Sequence, residues 1–436
     1  MKKFVLILFL TLCFCTWPGL SSRTGAKIYV DIDSPAFKMI PIAISDFYNA
    51  SPASSAATVS DGVKNDLALT GLFNVLNRKS FLDNSISAAS ADARTIRFSD
   101  WTAIGADYLL KGNVTQNGQE MIADSYLFDV ARGEIIFNKR YRAPADKTKA
   151  VSRAIASDIM LALINDAGDF NTKIAFVSKK GLRSDIYSVN YDGSEIRKVT
   201  HHSSLFIAPR WSPDGNWLAF TSFKRGRPEI YLLNLKSGME KKVAAFDGLN
   251  LCGSFSPDGR KLLLTLSKDG NEEVYALNIA SLQLQRLTTN YAIDVSPSWS
   301  PDGRKIVFVS NRSGSPQIYT MDANGGNVKR ITYKGSYNSS PSWSMRGDRI
   351  VYEGLTGNRY QIFSIDEEGN NPVQLTFDNA NNESPSWSPS GRQIAYVSRK
   401  NSQSQIMIIN ANGSSPRLLY EQNNPLTMPS WSGRLK

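Results

Sequence analysis

An aromatic residue returns every 44 positions, at Trp211, Phe255, Trp299, Trp343, Trp387 and Trp431, with no insertion between copies. Around it, Arg210-Trp211-Ser212-Pro213-Asp214-Gly215 recurs as Ser254-Phe255-Ser256-Pro257-Asp258-Gly259 and Ser298-Trp299-Ser300-Pro301-Asp302-Gly303. Altered copies follow at Trp343-Ser344-Met345-Arg346-Gly347 and Trp387-Ser388-Pro389-Ser390-Gly391, and the chain ends on Ser430-Trp431-Ser432. A fixed period of this length means one supersecondary unit stacked on itself, because each unit can bury its apolar face only against the next. Two further columns keep the step: Phe176, Phe220, Leu264, Phe308, Tyr352, Tyr396, and Ile186, Ile230, Val274, Ile318, Ile362, Ile406. Each unit reads as four short β-rich segments divided by turn residues, the pattern of a propeller blade. Pro-Asp-Gly makes the hairpin turn between the first two segments, with Pro setting φ and Gly taking the positive-φ place. The repeat aspartates are therefore turn residues, and the repeat tryptophans fill the space between blades.

Counting the segments predicts how the ring closes. With strands named a to d from the channel outward, b, c and d occur six times from about Lys173 onward. Strand a also occurs six times but is offset, its last copy lying at 429–432. Pairing of that C-terminal strand with the first b-c-d unit gives six blades and leaves no free sheet edge.

Residues 27–166 lack the repeat. Strands are expected at 28–32, 38–44, 73–76 and 108–114, with a strand pair at 120–143 turning at Ala131-Arg132-Gly133. Helical spacing predicts a helix over 54–69 with Asp61 and Asp66 facing solvent. A second helix is predicted over 146–164, opening on Asp146 and burying Val151, Ile155, Ile159, Leu161 and Ile164. Asp166-Ala167-Gly168-Asp169 reads as a hinge. The expected fold is an α/β N-terminal domain (27–166) followed by an all-β six-bladed propeller (167–436) closed by the C-terminal strand.

Residues 1–26 read as a signal peptide: Lys2 and Lys3, an apolar run at 4–14 too short to span a bilayer, then Thr24-Gly25-Ala26 before Lys27. Cleavage after Ser22 and an uncleaved anchor are the alternatives. Lipidation at Cys13 or Cys15 is excluded by the bulky Leu12 and Phe14 before them. Export leaves Cys252 as the lone cysteine of the mature chain, so no intramolecular disulfide can form. The formal charge of +11 usually raises nucleic acid as a partner, but an exported protein rarely meets it. Residues 27–166 hold 15 Lys and Arg against 16 Asp and Glu, and residues 167–436 hold 32 against 23. The basic excess thus belongs to the propeller, where it serves solubility or steering toward an acidic protein surface.

Catalytic chemistry has little to work with. The two histidines are the adjacent His201 and His202, no Gly-x-Ser-x-Gly elbow occurs, and no Cys/His set could hold structural zinc. The rival reading is an exported propeller lyase or hydrolase with a metal or carboxylate site in the central channel.

Signal peptide, small α/β domain and a six-bladed Trp-Ser-Pro-Asp-Gly propeller together resemble the TolB family, the periplasmic component of the Tol–Pal system. The resemblance covers essentially the whole mature chain. It implies a non-enzymatic docking protein without cofactor, acting in the periplasm and reaching the membrane through partners only. By that resemblance the peptidoglycan-associated lipoprotein Pal sits at one propeller mouth, where the irregular d–a loops converge, and the system supports outer-membrane integrity and constriction at division. Leu249, Asn250, Cys252, Asp294, Val295, Ser296, Tyr337, Asn338 and Glu383 are the expected contacts. Small residues before the strand-a proline (Ala208, Ser296, Ser340, Ser384) are read as leaving a funnel, which a bulky side chain at Asn250 or Ser296 would overfill. TolA is expected on the N-terminal segment Lys27-Ile28-Tyr29-Val30-Asp31-Ile32-Asp33.

Overall fold

The computed structural model describes residues 38–49, 55–82 and 93–435. The predicted signal peptide, the strand at 28–32 and the TolA segment lie outside them.

Alternating apolar residues place β1 (Ile40–Ile44) at the heart of a six-stranded sheet with β2 (Tyr48–Asn49), β3 (Phe73–Val75), β4 (Tyr108–Asn117), β5 (Glu120–Asp129) and β6 (Glu134–Pro144). The order is β3-β1-β4-β5-β6, with β2 on β4. β1 runs parallel to β3 and β4, and β4, β5 and β6 form an antiparallel meander. Ile42, Ile44, Leu110 and Val114 face α1 (Ser55–Leu69) and α3 (Thr148–Ile164). Ala43, Leu109 and Phe128 face a second cluster around Trp101 of α2 (Phe98–Ala103). At Gly62 a Cβ would lie 2.3 Å from Ser152 Oγ, so glycine sets how closely α1 approaches α3. Three helix expectations are corrected. Asp66 is buried among charged groups described below. The α3 N-cap is Lys147, which makes no side-chain cap bond. Leu161 is exposed and Met160 is buried in its place, because the apolar stripe drifts around a helix of 3.6 residues per turn.

The repeat folds into six four-stranded sheets. Blade I holds strands Phe206–Trp211, Trp217–Ser222, Glu229–Asn234 and Glu240–Ala244, and blades II to V repeat it with strand a at Asn250–Phe255, Asp294–Trp299, Asn338–Trp343 and Asn381–Trp387. Blade VI closes the ring: its strand a is the C-terminal Leu426–Trp431, antiparallel to Lys173–Lys180 with Leu426 opposite Ser178 and Trp431 opposite Ile174. Successive a strands touch in a closed cycle around the channel. The repeat tryptophans are buried, and Trp211 Nε1 donates to Ser430 O at 3.1 Å while Trp387 Nε1 donates to Ser342 O at 3.1 Å. In the three Pro-Asp-Gly repeats the Ser closes its turn on the Asp two residues on, as in Ser300 Oγ to Asp302 at 2.6 Å.

Residues 166–169, expected as a hinge, are pinned. Arg434 Nη2 bonds Asp166 at 2.6 Å and Arg434 Nε donates to Gly168 O at 2.8 Å. Asp169 is buried and accepts from Ser390 Oγ at 2.5 Å. Ser390 stands where the fifth repeat should carry Asp, and Asp169 from the connector supplies the missing carboxylate.

Candidate functional site: the open mouth of the propeller

In an antiparallel blade the d–a and b–c connections must lie at the same end. They do: Ser184 N donates to Ser204 O at 3.0 Å, Phe223 N to Leu205 O at 3.0 Å and Asn311 N to Ile293 O at 3.3 Å. The N-terminal domain occupies the other end. Gln393 Nε2, after the a–b turn of blade V, donates to Leu69 O at 3.1 Å. Lys149 and Arg153 of α3 reach Asp192, on the c–d turn of blade VI, at 2.5 and 3.1 Å. Burial works against ionisation of Asp192, but bonds from Lys149 and Ser194 and the nearby Arg153 outweigh it and hold its carboxyl well below the usual range. The d–a mouth is therefore left open by the described residues.

The structure brings Leu249, Val295, Ser296, Tyr337 and Glu383 to the surface of this mouth, with Glu383 ion-paired to Arg399. It buries the other four expected contacts. Asn250 is 0 % exposed, accepts from Phe246 N at 3.0 Å and donates to Phe246 O and Gly248 O, so it staples its own loop. Asn338 Nδ2 donates to Gln317 Oε1 at 2.8 Å, which also accepts from Thr332 Oγ1. Asp294 is buried against Arg312 at 2.7 Å. Cys252 is buried too, and burial pushes its thiol up to about 12, which makes it inert. A bulky side chain at Asn250 would therefore break the loop rather than fill the funnel.

The small-residue column also has a different cause. Ala208, Ser296, Ser340, Ser384 and Met428 all adopt φ between 52° and 55°, each at a β-bulge that shifts the a–b register. Neighbouring blades supply partners for backbone N–H groups at these kinks: Cys252 N donates to Thr221 Oγ1 at 3.0 Å, and Ser384 N to Glu353 Oε2 at 2.6 Å. In blade II, Gly253 takes the proline's place, and a Cβ there would meet Leu263 O at 2.8 Å.

Of the mouth's exposed aromatics, the expected contacts include Tyr337 and omit three others. Tyr291, Tyr333 and Phe377 are 88, 70 and 77 % exposed on the loops leading into blades III, IV and V. Tyr333 and Phe377 occupy one repeat column, and that coincidence was the available signal. His201 and His202 are exposed on the loop entering blade I. Among the described residues, no group of three or more His, Cys, Asp or Glu side chains could hold a metal ion.

Comparison with known proteins places these features. Residues 162–435 match the model of the TolB β-propeller domain, and residues 28–136 match that of the TolB amino-terminal domain. The Tol-Pal system protein TolB of Syntrophus aciditrophicus (strain SB) is 44 % identical over 222 residues, 49 % of each chain. That of Desulfosudis oleivorans is 36 % identical over 227 residues, 50 % of this chain and 49 % of the relative. The chain thus spans about half the length of the curated relatives it matches. The crystal structure of TolB from Acinetobacter baumannii superposes with a TM-score of 0.81 at 29 % identity, covering 91 % of this chain and 97 % of that one. With the propeller match alone spanning more than half of its length, the chain belongs to the TolB family.

Proposed function

We propose that the chain is the docking component of a Tol–Pal envelope system, binding Pal at the open mouth and TolA through residues 27–33. It acts without catalysis or cofactor in the periplasm, and it supports outer-membrane integrity and constriction during division. The reading takes 1–26 as the export signal, 27–166 as the N-terminal domain and 167–436 as the propeller. The observation that carries it is the polarity of the ring: one end is covered by the N-terminal domain, while the other presents irregular loops with exposed aromatic residues on a rigid scaffold.

Calorimetric titration of the mature chain with soluble Pal from the same cell tests it. Ser296→Trp, at an exposed mouth position, is expected to weaken binding at least tenfold, about 1.4 kcal/mol, in a chain that still melts cooperatively although the left-handed backbone there disfavours a bulky side chain. Arg304→Glu, exposed on an a–b turn at the other end, is expected to leave binding intact. Loss of binding in Arg304→Glu with none in Ser296→Trp assigns Pal to the opposite end. Removing residues 27–33 is expected to abolish TolA binding while Pal binding persists.

A further inference from the structure

The open mouth is chemically divided. Its b–c turns on blades VI and I, residues 179–183 and 223–228, contain Lys179, Lys180, Arg183, Lys224, Arg225 and Arg227 and no acidic residue. Lys224 is ion-paired to Glu240, and the other five side chains are exposed. Lys179 and Lys180 make no ion pair with any described residue. Arg225 meets the buried Glu229 only loosely, at 3.9 Å, and Arg227 lies 3.7 Å from both Glu229 and the exposed Asp247, so both are only weakly compensated. Lys400, on the turn of blade V, extends this sector and is exposed as well.

Across the ring, blades II to V present the aromatic arc of Tyr291, Tyr333 and Phe377. Of the basic side chains on that side, Arg312 is paired with Asp294 at 2.7 Å, Lys268 with Asp269 at 2.8 Å and Arg399 with Glu383, while Lys334 and Arg359 on blade IV are exposed without an ion pair among the described residues. Between the two sectors the strand-a residues Ile207, Leu251 and Val295 are half-buried at the channel entrance.

Resting on the docking reading above, we infer that the two sectors divide the work of capturing one protein partner. The basic sector of blades VI and I steers an acidic face of that partner, and the aromatic arc of blades III to V holds it. Uncompensated charge at a rim acts over about a Debye length and so raises the encounter rate, whereas exposed aromatic rings gain energy only after contact and so govern escape. A convex protein element can touch both rims and the entrance between them. A bilayer surface can touch only the rim, which is why a protein is favoured over anionic lipid as the source of the negative charge.

Association kinetics of the mature chain with soluble Pal, at about 20 mM and about 300 mM salt, test the division. Lys179→Glu combined with Lys180→Glu is expected to lower kon at least about tenfold at low salt, flatten the salt dependence and leave koff nearly unchanged. Tyr333→Ser combined with Phe377→Ser is expected to raise koff at least about tenfold while kon and its salt dependence hold. Lys400→Glu is the second charge variant should the first pair impair folding, and it is expected to lower kon in the same direction. A wild-type chain that binds Pal, with variants of unchanged rates, overturns this inference alone. A wild-type chain that does not bind Pal removes the docking reading and this inference with it. If the charge variants keep their Pal rates but lose binding to vesicles containing anionic lipid, the basic sector serves a membrane and the inference is wrong.

Discussion

Asp66 is 3 % exposed on the face of α1 that meets α3 and the propeller. Burial raises its pKa from 3.8 to about 7, against the pull of Arg153 and Lys149 and with a further push from Asp192. Because the folded value lies above the unfolded one, the folded chain holds a proton that the unfolded chain has released between about pH 4 and 7. Stability from this group is therefore full below pH 4 and falls as pH rises through 7. Asp66→Asn, which keeps the shape without the charge, is expected to melt above the parent at pH 8, with the gap closing by about pH 4. Melting curves across that range check it, and a gap that persists at low pH counts against the burial argument. Asn250 carries a second prediction at this scale. Its three bonds close the loop from 246 to 250, so Asn250→Ala removes the staple from part-buried backbone groups and should cost roughly 1–3 kcal/mol in denaturant unfolding.

Among the elements, the C-terminal strand has the largest role. It supplies the inner strand of blade VI, and Trp431 Nε1 donates to Thr172 Oγ1 at 2.9 Å behind the connector. Trp431→Ala is expected to cost about 3–5 kcal/mol, and removal of residues 428–436 should unfold or aggregate the ring. A truncated chain with the parent's melting temperature would sink the closure. The connector makes a narrower prediction. Asp169 occupies the place of the carboxylate absent from the fifth repeat, and burial raises its pKa although Ser390, Ser388 and Arg434 lower it. Ser390→Asp therefore sets two carboxyls in one buried site and should cost roughly 2–4 kcal/mol. Adding Asp169→Ser to that variant restores a single carboxylate and should recover most of the loss, which a double-mutant cycle measures.

For the molecule as a whole, the two domains share one core. Ile155, Ile159 and Met160 of α3 belong to the same apolar cluster as Phe170, Ile174, Tyr191, Ile406 and Trp431 of the propeller. Arg417 lies 4.7 Å over the Tyr191 ring and donates to Tyr191 O at 3.0 Å. An interface this apolar couples unfolding of the parts. Scanning calorimetry of residues 27–436 is expected to show one transition, and Tyr191→Ala is expected to separate it into two. Two resolved transitions in the parent chain would show that the shared cluster does not couple the domains.

Blade number, strand order and closure by the C-terminal strand were all legible in the sequence, because a strict 44-residue period forces identical units to stack and the offset of strand a admits one way to close. Resemblance in the repeat and in domain order also led to the TolB family. The mouth residues were legible only in part. Asn250, Asp294 and Asn338 look like loop polar residues, yet they stand with Asn382 in one repeat column whose members are buried and hydrogen-bonded. A polar residue recurring at a fixed place in a repeat marks structure as readily as a site. The five left-handed residues at the bulges, the Asp169–Ser390 exchange and the burial of Asp66 depend on groups distant in the chain, 221 positions apart for Asp169 and Ser390. Periodicity reports which residues share a face of one unit. Which charged groups meet, and which end of the ring stays open, is decided only when the N-terminal domain packs against blades V and VI.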